Sequence, residues 1–374
     1  MSMHFTETER DLAAGGVLTI DLAALRHNYR TIAARVAPAR ASAVVKADAY
    51  GLGADKAAPA FHAAGCRDFF VAHLGEAIAL KPSLPADATL YVLNGLQPGA
   101  EAAAARENIV PVLNSLEQVE NWRSLAKSLG RTLPALLQID TGMSRLGLPA
   151  KELDRLVADP SLLDGIDVRY IMSHLACGDE PENPANAAQL TAMKAALGRL
   201  PKAPVAFANS GGSFLGHGYH FNLARPGVAL YGVGPAGGGI RPVLTLSARV
   251  IQVREIEAGV AVGYGGAYVA KGPMRIATIA VGYADGWLRA LSNRGSAFFG
   301  DMRLPVVGRV SMDSITLDAS ALPEGTLKLG SLVELIGPHQ TLEDVARDCD
   351  TIPYEILTAL GHRYARIYVD GPDK

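Results

Sequence analysis

Between residues 42 and 225 a short apolar run, a loop and an amphipathic stretch recur. Candidate strands fall at 42–46, 69–73, 90–94, 110–113, 135–139, 168–173, 204–208 and 223–225. Helical stretches separate most of them. One of these is 116–129, which Ser115 can cap at its start and Gly130 can end. Strands alternating with helices must pair in parallel through crossovers. Eight such units in about 190 residues predict a closed (β/α)8 barrel rather than an open sheet. A further strand at 17–21 is left over. It runs into a segment whose apolar positions Leu22, Leu25, Tyr29, Ile32 and Val36 follow a helical period.

The pattern changes near the glycine run 237–239. Beyond it come strands without long helices between them, at 243–253, 260–264, 274–281, 303–307, 313–317 and 331–336, with late helices at 341–348 and 353–363. Leu244, Leu246, Ala248 and Val250 alternate as a half-buried strand requires. The expected organisation is a barrel over 14–238 and a mainly β C-terminal domain over 239–374, joined by segment 1–13. A hydrophobic share of 49% supports a sizeable core, and the formal net charge of −2 offers no footprint for nucleic acid or an anionic membrane. There is no apolar run of spanning length and no signal-peptide pattern. The three cysteines lack metal spacing, and their odd number does not suit a disulfide framework. A cytoplasmic enzyme without a bound metal is expected.

Barrels of this kind carry their chemistry at the C-terminal ends of the strands. Lys46 ends the first strand and Asn94 the third, while Asp140 to Arg145 follow the fifth. Ser173 and His174 follow the sixth, Asn209 and Ser210 the seventh, and Arg225 to Val228 the eighth. A lysine at a buried strand tip should lose proton affinity and suit covalent chemistry with a carbonyl. The other reading is a lysine that snorkels to water. The glycine-rich turn after Lys46 brings Tyr50, and Ser210, Gly227 and Val228 offer hydroxyl and N–H donors, as a phosphate dianion requires. An amine beside a phosphate cradle suggests pyridoxal phosphate. Singly, each rim residue has a structural explanation: a solvated arginine, a packed histidine, a serine cap. Their gathering on one rim favours function. Arg225 is the sharpest of them if it faces a pyridine nitrogen. Arginine keeps its proton, so that nitrogen would stay unprotonated and the electron sink weak.

These residues resemble alanine racemase, the barrel class of pyridoxal-phosphate enzymes. The resemblance runs from Val17 to about Val369 through AVVKADAYGLG (43–53), DTGMSRLG (140–147), ARPGVALYG (224–232), VGYGGAY (262–268), VGYADG (281–286) and GRVSMD (308–313). It implies that Lys46 holds the cofactor covalently and acts as one base. Tyr264, supplied by the partner of a homodimer with shared sites, would be the other base. It further implies phosphate contacts from Tyr50, Ser210, Gly227 and Val228, and a place for Asn209 in the cofactor pocket. Arg225 would face the pyridine nitrogen, and His174 would link it to the tyrosine. Arg145 and the backbone of Met312 would contact the substrate carboxylate, with Tyr283 and Asp313 lining the entry and the partner side of the site. Two positions depart from the family. Gln138 stands where many members carry a lysine that is carbamylated to orient the arginine, so Arg145 must find another partner, the amide or an anion. His362 stands where some carry a tyrosine near the cofactor. It can be a phosphate contact or a surface helix residue.

The activity so implied is interconversion of L- and D-alanine by two bases, supplying D-alanine for peptidoglycan. Removing a proton from one face of Cα and returning one to the other divides the work between two groups. The rivals are a racemase for another small amino acid such as serine, a barrel-class decarboxylase, and a non-catalytic pyridoxal-phosphate-binding protein. The β domain with Tyr264, Tyr283, Met312 and Asp313 argues for catalysis, because single-domain cofactor carriers lack it.

Overall fold

The computed structural model describes residues 12–371. The chain divides into two compact units. Among the described residues, one gathers 12–23 and 242–371; the other runs from Ala24 to Arg241. The strand β1 (Gly16–Asp21) belongs to the first. Residues 14–23 were expected with the barrel, and the reason for the difference is β1's pairing, given below. The expected docking of 1–13 falls almost wholly outside the described residues.

The Ala24–Arg241 unit is built on one parallel sheet. Its strands are β2 (Arg40–Ala41), β3 (Ala43–Val44), β4 (Asp68–Val71), β5 (Thr89–Val92), β6 (Val110–Leu113), β7 (Leu133–Gln138), β8 (Ile166–Met172), β9 (Val205–Ala206) and β10 (Leu223–Ala224). The hydrogen-bonded order is β2-β10-β9-β8-β7-β6-β5-β4-β3. The two ends of that list, β2 and β3, are one strand interrupted at Ser42. The Ser42 N–H donates to Ala224 O (2.9 Å) and the Val44 N–H to Pro226 O (3.0 Å), which closes the circle. Counted so, eight parallel strands form the barrel that the sequence predicts. β4 and β6 are buried at every position, as strands covered on both faces are. The assigned strands β9 and β10 are shorter than expected because the pairing beyond them is irregular: the Arg225 N–H still donates to Ala208 O (2.7 Å) before the chain turns into the loops of the rim. The helix Leu116–Leu129 is bounded as its sequence implies: the Ser115 hydroxyl accepts from the Gln118 N–H, and Gly130 takes the left-handed conformation. On the flank away from the rim, Arg40 donates to Asp68 (2.7 Å) and to the Tyr170 hydroxyl (2.6 Å), and Tyr91 donates to Asp68 (2.9 Å).

The second unit is mainly β. It contains β11 (Leu244–Ile256), β12 (Ala261–Val262), β13 (Tyr268–Val269), β14 (Met274–Ile279), β15 (Ser296–Phe299), β16 (Met302–Pro305), β17 (Ile315–Asp318), β18 (Leu332–Ile336) and β19 (Ala365–Val369). β1 lies between β11, antiparallel to it, and β19, parallel to it. The long β11 also pairs with β18 and β14, with a register shift in each ladder. Such irregularities bend a strand and let it serve several partners. β13, β15 and β19 were not expected. The helix predicted to 363 ends at Ala359, and β19 takes up the chain six residues later.

Candidate active site

In a closed parallel barrel every strand's C-terminal end lies on one rim, so the residues after β3, β7, β8, β9 and β10 are brought together. The Val45 N–H donates to Phe70 O (2.8 Å), and Lys46 is the next residue past this ladder. Ala47 to Tyr50 then form a single left-handed helical turn, from φ 53°, ψ 47° at Ala47 to φ 55°, ψ 38° at Tyr50. Four consecutive non-glycine residues in that region are costly, and nothing in their composition announced them. The turn swings Tyr50 back to the barrel. A Cβ built on Gly227 would stand 2.2 Å from the Tyr50 hydroxyl, so any larger residue there must displace the tyrosine.

The Ser210 hydroxyl accepts from the Gly227 N–H (2.8 Å) and the Ala229 N–H (3.2 Å), which fixes the turn Val228–Tyr231. Tyr50, Ser210, Gly227 and Val228 therefore form one cradle. Asn209 stands beside it, but its amide is used internally: it donates to Leu175 O (3.1 Å) and accepts from the Gly212 N–H (2.9 Å).

Arg225 is 3% exposed. Its Nη2 donates to Ser173 O (2.6 Å), while Nη1 is buried with no hydrogen-bond partner. Burial pulls the guanidinium down to about 10, which leaves it charged at neutral pH. His174 is pushed down to about 3, first by desolvation and then by the charges of Arg225, Arg145 and Lys46, so its ring is neutral. The Lys46 amine is lowered by burial and by Arg145, with Glu76 opposing. Arg145 itself is exposed, in a loop shaped by Asp140, whose Oδ1 accepts from the N–H groups of Gly142, Met143 and Ser144 (2.9, 3.0 and 3.1 Å). The Gln138 side chain is buried and donates to Leu146 O (3.2 Å), the carbonyl one residue past Arg145.

Sequence reasoning missed two residues here. Gln189 donates to His174 O (2.8 Å) and to Thr141 Oγ1 (3.2 Å), and accepts from the Ala176 N–H (2.9 Å). Thr141 in turn bonds the Ser173 hydroxyl (2.7 Å). The signal was present: Asn186 and Gln189 are polar positions three apart on the buried face of the helix Pro184–Leu197. The other is Glu76, treated below.

The remaining candidates lie in the β unit. Tyr264 opens the short turn Tyr264–Gly266, is 72% exposed, and fronts a surface cleft lined by Arg309, Ser311, Ser314 and Thr316. Tyr283, Met312 and Asp313 are exposed on two loops zipped together: the Tyr283 N–H donates to Ser311 O and the Ala284 N–H to Met312 O, both at 3.0 Å. Arg363, also missed, forks onto the buried Asp285 (2.7 and 2.8 Å) and reaches Asp313 (2.7 Å). Its neighbour His362 is exposed and lies beyond the helix expected to contain it.

The barrel rim fits pyridoxal phosphate on its own features. The orphaned Nη1 of Arg225 lacks an acceptor such as a pyridine nitrogen provides, Lys46 is a desolvated amine, and a hydroxyl-lined cradle faces a turn of backbone N–H groups.

Comparisons with known proteins agree. Residues 20–235 match the family described as "Alanine racemase, N-terminal domain", and 243–368 match "Alanine racemase, C-terminal domain". An alanine racemase of Brucella canis is 71% identical, over 99% of this chain and 97% of its own length. A catabolic alanine racemase of Agrobacterium fabrum is 56% identical over 99% of this chain and 96% of its own. The crystal structure of alanine racemase from Bartonella henselae, with covalently bound pyridoxal phosphate, superimposes with a TM-score of 0.93 at 49% identity, covering 95% of this chain and all of that one. The two domain matches together span nearly the whole described chain, and the chain belongs to the alanine racemase family.

Proposed function

We propose that this protein interconverts L- and D-alanine with pyridoxal phosphate held at the rim of its barrel. The observation that carries the proposal is the buried Arg225, charged and with one nitrogen unpartnered, in the same rim as the desolvated Lys46. When bound, pyridoxal phosphate withdraws electrons from the Cα–H bond of an amino acid joined to it, which allows that proton to leave. Lys46 Nζ holds the cofactor and, once released from it, moves a proton on one face of Cα. Tyr50, Ser210, Gly227 and Val228 take the phosphate, with Asn209 bracing the loop beside them. Arg225 keeps its own proton and so withholds one from the ring nitrogen, which restrains transamination and elimination. A neutral His174 adds no second cation beside it.

The opposite base in this reading is Tyr264 of the partner subunit. Its exposure, unusual for a ring of that size, supports a tyrosine completed by another copy of the chain. Arg145 and the backbone of Met312 orient the substrate carboxylate, and Tyr283 and Asp313 line the approach. His362 is assigned to the cofactor side. The reading is of a cytoplasmic homodimer whose D-alanine feeds peptidoglycan synthesis. No helix among the described residues is long and apolar enough to cross a membrane.

The test is direct. Purified protein given pyridoxal phosphate should show a visible band that borohydride abolishes, with the reduced cofactor on the peptide containing Lys46. The same preparation should racemise L-alanine in a chiral assay, faster than serine or lysine. A colourless protein, or label on another lysine, refutes the proposal.

A further inference from the structure

The left-handed turn after Lys46 is fastened from outside by one carboxylate. Four consecutive non-glycine residues in that conformation are costly, and such a run persists where its surroundings over-determine it. Glu76 lies in the first turn of the helix Leu74–Leu80. Its Oε1 accepts from the Ala47 N–H (2.7 Å), and its Oε2 accepts from the N–H groups of Ala72 (2.7 Å) and His73 (2.9 Å). Ala47 directly follows Lys46, and Ala72 and His73 directly follow β4. One side chain thus ties together the tips of two neighbouring barrel strands, through charge-assisted bonds about twice as strong as neutral ones. At the far end of the turn, Asp48 Oδ1 accepts from the Ala54 N–H (2.7 Å) and Asp48 O from the Gly53 N–H (2.9 Å).

We propose that Glu76 is a positioning residue for Lys46, fixing the backbone turn from which the amine projects. This rests on the reading of Lys46 as the amine that holds the cofactor. The charge of Glu76 bears on the same amine. Burial and Arg145 favour the neutral form, His174 stands close enough to interact but is itself neutral, and Glu76 is the anion that opposes them.

Two measurements on wild type, Glu76→Gln and Glu76→Asp test this: hydrogen–deuterium exchange of the purified protein, and the pH dependence of pyridoxal phosphate attachment after the cofactor is stripped. Glutamine offers one oxygen and cannot accept from both strand tips. Exchange over 43–53 should therefore rise on the order of tenfold or more in Glu76→Gln, with peptides outside 43–53 and 70–80 unchanged. The pH midpoint of attachment should move down, because losing the anion disfavours the ammonium. Glu76→Asp keeps the charge on a shorter arm, so it should loosen the turn while moving the midpoint less. Unchanged exchange over 43–53 in Glu76→Gln overturns the proposal. So does a rise spread over the whole barrel with the midpoint unmoved, which makes Glu76 a general structural residue. Wild-type protein that attaches no pyridoxal phosphate overturns instead the reading of Lys46.

Discussion

A guanidinium buried without a carboxylate beside it is held at a cost, and Arg225 is in that position. It donates to one carbonyl and leaves Nη1 unsatisfied. In the cofactor-free protein that cost is unrelieved, so Arg225→Met, similar in length and apolar, should stabilise it by about 1–3 kcal/mol. Racemisation should fall at the same time. Urea unfolding of the stripped proteins reads the first effect and a chiral assay the second, and a strongly destabilised variant would mean that Arg225 is there for packing. His174 makes a separate prediction about pH. Its pKa lies near 3 when folded and near its ordinary value when unfolded. The unfolded chain therefore binds the proton first as pH falls. The stability contributed by the neutral ring is fully present above about 6.5 and is lost progressively toward pH 3. His174→Gln should flatten the stability-against-pH curve in that window by up to one proton, and an unchanged slope would contradict the shift. At this scale the sequence was legible where a residue type had to sit at a strand end. It marked Gln189 as a polar position on a buried helix face but did not show its partners, which only the fold brings to it: His174 O, the Ala176 N–H and the Thr141 hydroxyl.

The proposed phosphate cradle is an arrangement of elements: the left-handed turn brings Tyr50, the loop after β9 brings Ser210, and the turn after β10 brings Gly227. The contact between them leaves no room for a methyl group, since a Cβ at Gly227 would meet the Tyr50 hydroxyl at 2.2 Å. Gly227→Ala should displace that hydroxyl and weaken pyridoxal phosphate binding tenfold or more, the value of one hydrogen bond to a charged group. The fold should be retained. Titration of the stripped variant checks it, and wild-type affinity would show that Tyr50 does not touch the phosphate. The barrel strands were legible because an apolar run at a regular interval has few other uses. The left-handed turn was not, because Lys-Ala-Asp-Ala-Tyr places no glycine at its positive-φ positions and Glu76, remote in sequence, holds it. β13, β15 and β19 were missed for a related reason: none falls at the regular interval that marks the barrel strands, and pairing with β12, β18 and β1 defines them.

At the scale of the molecule, the chain folds as a barrel unit carrying Lys46 and a β unit carrying Tyr264, which agrees with the two family domains matched over 20–235 and 243–368. The first strand defied a linear reading. β1 precedes the barrel in sequence yet pairs with β11 and β19, because a lone apolar strand finds its partner by register rather than by proximity in the chain. The central claim is that one complete site takes Lys46 from one copy and Tyr264 from another. Lys46→Ala and Tyr264→Phe proteins should each be nearly inactive, since losing a general base costs about 10²–10⁴ in rate. Mixed under conditions of subunit exchange, half the dimers become hybrids holding one doubly defective site and one intact site. Racemase activity should then return to about a quarter of wild type. Confirmed subunit exchange with no return of activity would contradict the claim.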